Sequence, residues 1–105
     1  MKRIYYLSSC DTCRRMMKEY NQLDEFELID IKTSNIDSKT IDFLREKTGS
    51  YEALFSKRAI KYKTLGLKDK NLTDQDFRQL ILDEYTFLKR PVLIDGEKVV
   101  IGKLI

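Results

Sequence analysis

Apolar positions along the chain change period several times, and each change marks an element. The run Lys2 to Leu7 (KRIYYL) is rich in aromatic and branched side chains and too short for a good helix, which predicts a buried strand closed by Ser8 and Ser9. From Asp11 the spacing becomes helical: Cys13, Met16, Met17 and Tyr20 fall at i, i+3, i+4 and i+7, one face of a helix that packs on the first strand. Phe26, Leu28 and Ile31 within EFELIDI then predict a second strand. A strand, helix, strand unit of this length implies a right-handed parallel crossover.

The middle of the chain is punctuated by helix starts and stops. Ser38 is expected to cap a helix carrying Ile41 and Leu44 that ends at Gly49, and Ser50 to cap a short turn with Tyr51, Leu54 and Phe55. Gly66 closes another helical piece. Thr73 with Asp76 three residues later, ahead of Phe77, Leu80, Ile81 and Tyr85, has the order of a capping box opening an amphipathic helix. PVLI, Asp95-Gly96 and KVVI make two short apolar runs joined by a turn-forming dipeptide, the signal of a hairpin. The order β, α, β, several helices, β, β describes an α/β chain with a thioredoxin-like sheet. It is mixed and four-stranded, a parallel pair plus a C-terminal β-hairpin, with a helical insertion between the halves.

Composition narrows the classes. The length of 105 residues predicts a single domain, 1–105. A hydrophobic share of 42% with four Gly and one Pro excludes disordered and collagen-like chains, and 35% charged residues spread throughout exclude a membrane span. No segment has the order of a signal peptide, so the expected location is cytoplasmic and disulfide stapling is not expected. The net charge of +3 is modest and the two signs are interspersed, which predicts no direct nucleic-acid binding. Histidine is absent, and with it every Cys-His and Ser-His-Asp arrangement.

The two cysteines, Cys10 and Cys13, are too few for a four-thiolate zinc site, and in a cytosolic chain beside a βαβ pattern their Cys-x-x-Cys spacing is a redox signature. Cys10 stands at the start of the first helix, where unpaired N–H groups and the helix dipole favour a thiolate, and Arg14 and Arg15 add positive charge within a turn. Asp11 opposes them. Cys13, on the face of Met16 and Met17, is expected to be less exposed, so Cys10 attacks and Cys13 resolves. Two blander readings stand beside this: two small core residues, or half of a zinc site shared between chains. Pro91 gives up a ladder donor and so belongs at a strand start or edge, with trans the ordinary isomer of its peptide bond.

Strand, CDTC, helix, a helical middle and KRPVLIDGEKVVIG together resemble the arsenate reductase (ArsC)/Spx family of thioredoxin-like proteins, from Lys2 to about Lys103. The specific parts are Cys10, the segment LFSKRAIKYKTLGL with Arg58 and Leu65-Gly66, the helix from Thr73, and Arg90-Pro91 before the hairpin ending at Ile101-Gly102. The resemblance implies that Cys10 is the reactive cysteine, that Pro91 is cis and packs near it, and that Arg58 and Arg90 bind an oxyanion. The substrate-binding set is then Thr12, Arg58, Arg90 and Pro91.

The chain departs from the pattern in three places. Where the glutathione-linked reductases carry Gly-Thr after a lone cysteine, this chain has Asp11, Thr12 and a second cysteine, which looks more like Spx. The third basic position is matched only by Lys103. The family's C-terminal helix is missing, which predicts a poorly covered hairpin face at Val92, Ile94, Val99 or Ile101 and hence self-association.

The resemblance implies a thiol-dependent oxidoreductase acting on a small oxyanion such as arsenate or on a disulfide. It needs no metal or organic cofactor and is reset by an external thiol such as glutathione, with glutaredoxin or thioredoxin as partner. The alternative is an Spx-like redox-sensing regulator that binds RNA polymerase.

Overall fold

The computed structural model describes residues 1–104, which form two compact units: Met1–Asn35 together with the chain from Arg90 onward, and Ile36–Lys89. The first unit holds a four-stranded sheet in the order β2-β1-β3-β4, with β1 at Lys2–Tyr6, β2 at Glu27–Asp30, β3 at Val92–Asp95 and β4 at Lys98–Ile101. β1 runs parallel to β2, with Arg3 opposite Glu27 and Tyr6 opposite Asp30. It is antiparallel to β3, with Ile4 opposite Leu93 and Tyr5 opposite Val92. The hairpin of β3 and β4 turns through Gly96, whose φ of 61° is a left-handed value that suits glycine. Asp95 is still in the ladder, paired with Lys98.

Helix α1, Asp11–Glu19, completes the crossover. Its buried Met17 packs with Ile4, Leu93 and Leu104, and around them Tyr6, Met16, Tyr20, Leu23, Phe26 and Val100 are only partly covered. The expectation of poorly covered Val92 and Ile94 is corrected here: both are 0% exposed, whereas Val99 and Ile101 are half-buried. Period-two alternation is the reason. Val92 and Ile94 point away from Leu93, and their ladder partners Ile101 and Val99 share that face but stay half-buried on the outer strand; on the α1 side Val100 and Met16 are likewise only partly covered.

The second unit contains α2 (Ser38–Thr48), α3 (Ile60–Thr64) and α4 (Asp74–Asp83), linked by short 3-10 turns. α2 ends at Gly49 with φ 96°, as its sequence predicts, but its N-cap is Asp37, not Ser38: the Asp37 carboxylate accepts the Thr40 N–H at 2.8 Å. Ser50 does accept a local N–H, from Ala53. The Thr73–Asp76 capping box is formed, while Tyr85 lies beyond the end of α4. Phe55 centres this core, stacked on Phe87 with centroids 4.8 Å apart and edge-on to Phe77 at 4.9 Å. Two carboxylates tie the helices: Asp74 accepts the N–H groups of Tyr51 and Glu52, and Asp42 accepts the Tyr51 hydroxyl and the Arg78 guanidinium. Among the described residues, no helix is long and apolar enough to cross a membrane.

Leu93 is 2% exposed at the centre of the α1-facing cluster, so Leu93→Ala is expected to cost about 2–5 kcal/mol in denaturant unfolding. Val100→Ala, at the half-covered margin, is expected to cost less than about 1.5 kcal/mol.

Candidate active site

β1 delivers the chain to a tight loop, Leu7–Cys10, closed by the Cys10 N–H donating to the Leu7 carbonyl at 3.0 Å. Cys10 then becomes the N-cap of α1, with extended backbone, and its carbonyl accepts the Arg14 N–H. This is the position its sequence predicts, next to the unpaired N–H groups of the first turn. No regular capping hydrogen bond closes onto the sulfur, but the Cys13 N–H lies near enough to favour its thiolate.

The two thiols are free and differ in environment: Cys10 is half-buried and Cys13 is 0% exposed. Partial burial of Cys10 works against ionisation. Interactions with the Cys13 N–H, the Arg90 guanidinium and the Cys13 thiol, together with the positive charge of Arg90, outweigh it and bring the Cys10 thiol below its ordinary value. Burial pushes the Cys13 thiol up to about 11, and a neighbouring Cys10 charge pushes in the same direction. One turn of helix therefore holds a thiol prepared to ionise and another held in its protonated form.

The cation acting on Cys10 is Arg90. Arg14 pairs instead with Asp11, so these two charged side chains of the first turn answer each other in part. Arg90 arrives through the sheet: it immediately precedes Pro91 and β3, and Val92 pairs with Tyr5 on the strand that leads to the cysteine loop. The Arg90–Pro91 bond is cis, and the buried Pro91 accepts the Gly102 N–H at 2.8 Å.

Asp30 was not singled out by sequence reading. It ends β2 opposite Tyr6, and its carboxylate accepts the Ser8 N–H at 3.3 Å and the Lys32 N–H at 3.2 Å. Its carbonyl receives Thr33 and Ser34. Hydrogen bonding to the Ser8 side chain, with further help from the Ser8 and Lys32 N–H groups, holds the Asp30 carboxyl below the usual carboxylate range. Asp30 thus anchors the cysteine loop from the neighbouring strand. The available signal was an acid at the C-terminal end of the strand that pairs with the one feeding Cys10.

The remaining candidates are not all gathered here. Thr12 lies exposed in the first turn of α1 beside both cysteines. Arg58 belongs to the other unit, exposed in the turn before α3. Lys103 borders a shallow cavity of about 200 Å³ with Met16, Glu19, Tyr20 and Leu104, against the C-terminal half of α1, whereas Cys10 caps its N-terminus. Among the described residues no cluster of acids and cysteines could hold a metal ion.

With the thiols shifted in opposite directions, alkylation followed by peptide mass spectrometry against pH should modify Cys10 first. Cys13 should resist until the pH nears about 11. Equal modification of both throughout the titration would contradict the assignment.

The uncharacterized protein YusI of Bacillus subtilis (strain 168) is 29% identical over 102 residues, 93% of this chain and 86% of that one. The global transcriptional regulator Spx 2 of Bacillus anthracis is 26% identical over 101 residues, 94% of this chain and 77% of that one. Among solved structures, one described as a possible arsenate reductase from Streptococcus mutans UA159 superposes with a TM-score of 0.74 at 30% identity, covering 95% of this chain and 87% of that one. The architecture is thus the thioredoxin-like one of the arsenate reductases, as its strand order predicts. The model of the ArsC family matches residues 5–103, and with nearly its whole length so matched the chain belongs to the ArsC family.

Proposed function

We propose that this chain is a cytoplasmic thiol-disulfide oxidoreductase whose electron pair cycles through Cys10 and Cys13. The observation that carries the reading is the opposed shift of the two thiols, one lowered beside Arg90 and the other raised by burial. The Cys10 thiolate attacks one sulfur of a substrate disulfide, forming a mixed disulfide and expelling the other sulfur as a thiolate. Cys13 then gives up its proton and attacks the Cys10 sulfur. The second substrate thiolate leaves and the Cys10–Cys13 disulfide remains. Two external thiols, from glutathione or a dithiol protein such as glutaredoxin or thioredoxin, reduce that bond and are themselves oxidised to a disulfide.

An arsenate substrate follows the same course. Cys10 displaces hydroxide from arsenic, and attack of Cys13 on the Cys10 sulfur leaves the electron pair on arsenic, which falls from As(V) to As(III). Arg90, with Thr12 as a further member of the substrate-binding set, receives the anionic oxygens. Asp11 sits beside that route with a negative charge that its pairing with Arg14 only partly answers, which favours a neutral disulfide over an arsenate anion.

The likeness to Spx 2, with the Cys-x-x-Cys spacing, supports a second reading, a regulator in which the same pair is a switch and RNA polymerase the partner. Turnover separates the two. The oxidoreductase reading expects disulfide reduction by the wild type that is abolished in Cys10→Ser, and a mixed disulfide that accumulates on Cys10 in Cys13→Ser. Arsenate reduction, assayed with glutathione plus glutaredoxin and separately with thioredoxin, should be the weaker activity and should rise several-fold in Asp11→Gly. Absence of turnover in both assays, together with redox-dependent binding to RNA polymerase, would transfer the weight to the regulator.

A further inference from the structure

The segment 57–70 is unlike the rest of the chain. It carries six cations (Lys57, Arg58, Lys61, Lys63, Lys68, Lys70) and one acid, Asp69, a net charge of +5. The other 91 residues carry 14 cations and 16 acids, a net charge of −2. Within this basic segment Ile60 is 80% exposed and Leu65 53% exposed, at the two ends of α3. These are two of the four large hydrophobic side chains left exposed among the described residues, the others being Met1 and Leu28.

The chain itself answers little of this charge. Lys57 pairs with Glu52 at 2.7 Å and Lys61 pairs with Glu84. Arg58, Lys63, Lys68 and Lys70 have no carboxylate partner among the described residues. Ile60 lies one turn from Lys63 and Leu65 one turn from Lys61, so each exposed apolar side chain has a cation beside it on the helix surface, the mixed composition of a protein-binding surface.

We propose that α3 and its flanking turns dock an acidic polypeptide segment that presents apolar side chains between its carboxylates. Two other kinds of anionic partner fit less well. Nucleic acid gains nothing from an exposed isoleucine, and the aromatic residue of the segment, Tyr62, is half-buried and packed edge-on to Phe55 at 5.8 Å, so it offers no platform for stacking a base. A membrane anchor needs the long apolar face of an amphipathic helix, and α3 has five residues. A polypeptide uses both kinds of group: its carboxylates meet Lys63, Lys68 and Lys70, and its apolar side chains cover Ile60 and Leu65 separately. The docking surface is independent of the thiol chemistry and stands or falls separately from it.

The test uses the full chain and two fluorescent synthetic peptides of equal negative charge, one with leucine and phenylalanine between its carboxylates and one with serine in their place. The apolar peptide should bind more tightly, and its affinity should fall as salt screens the cations. Ile60→Ser should weaken it by roughly fivefold without changing net charge. The double variant Lys63→Glu/Lys68→Glu should weaken it by about tenfold or more. All three side chains are exposed, so the thermal midpoint should stay that of the wild type and exclude unfolding as the cause. Equal binding of the two peptides, insensitivity to Ile60→Ser, absence of peptide binding, or preference for duplex DNA or phosphatidylserine vesicles over the apolar peptide would overturn the proposal.

Discussion

The candidate site depends on how the charge of the Cys10 thiolate is held, by the Cys13 N–H of its own helix and by the Arg90 guanidinium from across the sheet. Burial raises the pKa of a thiol, and Cys13, one turn away on the same helix, shows that effect acting with nothing sufficient to oppose it. Cys10 is spared because it is less deeply buried, because it caps the helix, and because a cation reaches it from a segment 80 residues later. The sheet brings the two together. Arg90 sits where β3 begins, β3 pairs with β1, and β1 runs directly into the cysteine loop.

The neighbouring strand serves the same end. β2 pairs with β1 up to Tyr6 and Asp30, and the Asp30 carboxylate then takes the Ser8 N–H, so the loop is restrained before it reaches the sulfur. The Leu7 carbonyl holds the Cys10 N–H from the other side. A nucleophile must stand in one place relative to the groups that stabilise its charge, and these three restraints over the five residues Tyr6 to Cys10 keep it there. The helical unit is organised differently, around the aromatic group of Phe55, Phe77 and Phe87 and the carboxylates Asp42 and Asp74.

What could be read from sequence follows the range of the interaction responsible. The Thr73–Asp76 capping box, the stop at Gly49 and the placing of Cys10 at a helix start are local, written within a few residues, and all were legible. Asp37 and Ser38 are both good caps, and only the backbone decides between them. The partnership of Arg14 with Asp11 is legible in principle as an i, i+3 pair, but its proximity to Cys10 suggested a different role. The burial of Val92 and Ile94, the grip of Asp30 on Ser8 and the reach of Arg90 to Cys10 depend on sheet pairing between distant segments, which no spacing along the chain records. Family resemblance pointed to Arg90 as an oxyanion ligand. Its effect on the thiol is a property of the fold.

The most direct test of that effect is to titrate the thiolate of Cys10 by its ultraviolet absorbance in a Cys13→Ser background, with Arg90 intact and in Arg90→Gln. The account predicts a midpoint below that of an ordinary thiol with Arg90 present and a clear upward move without it. An unchanged midpoint in Arg90→Gln would contradict the claim that this arginine helps to hold the Cys10 thiolate.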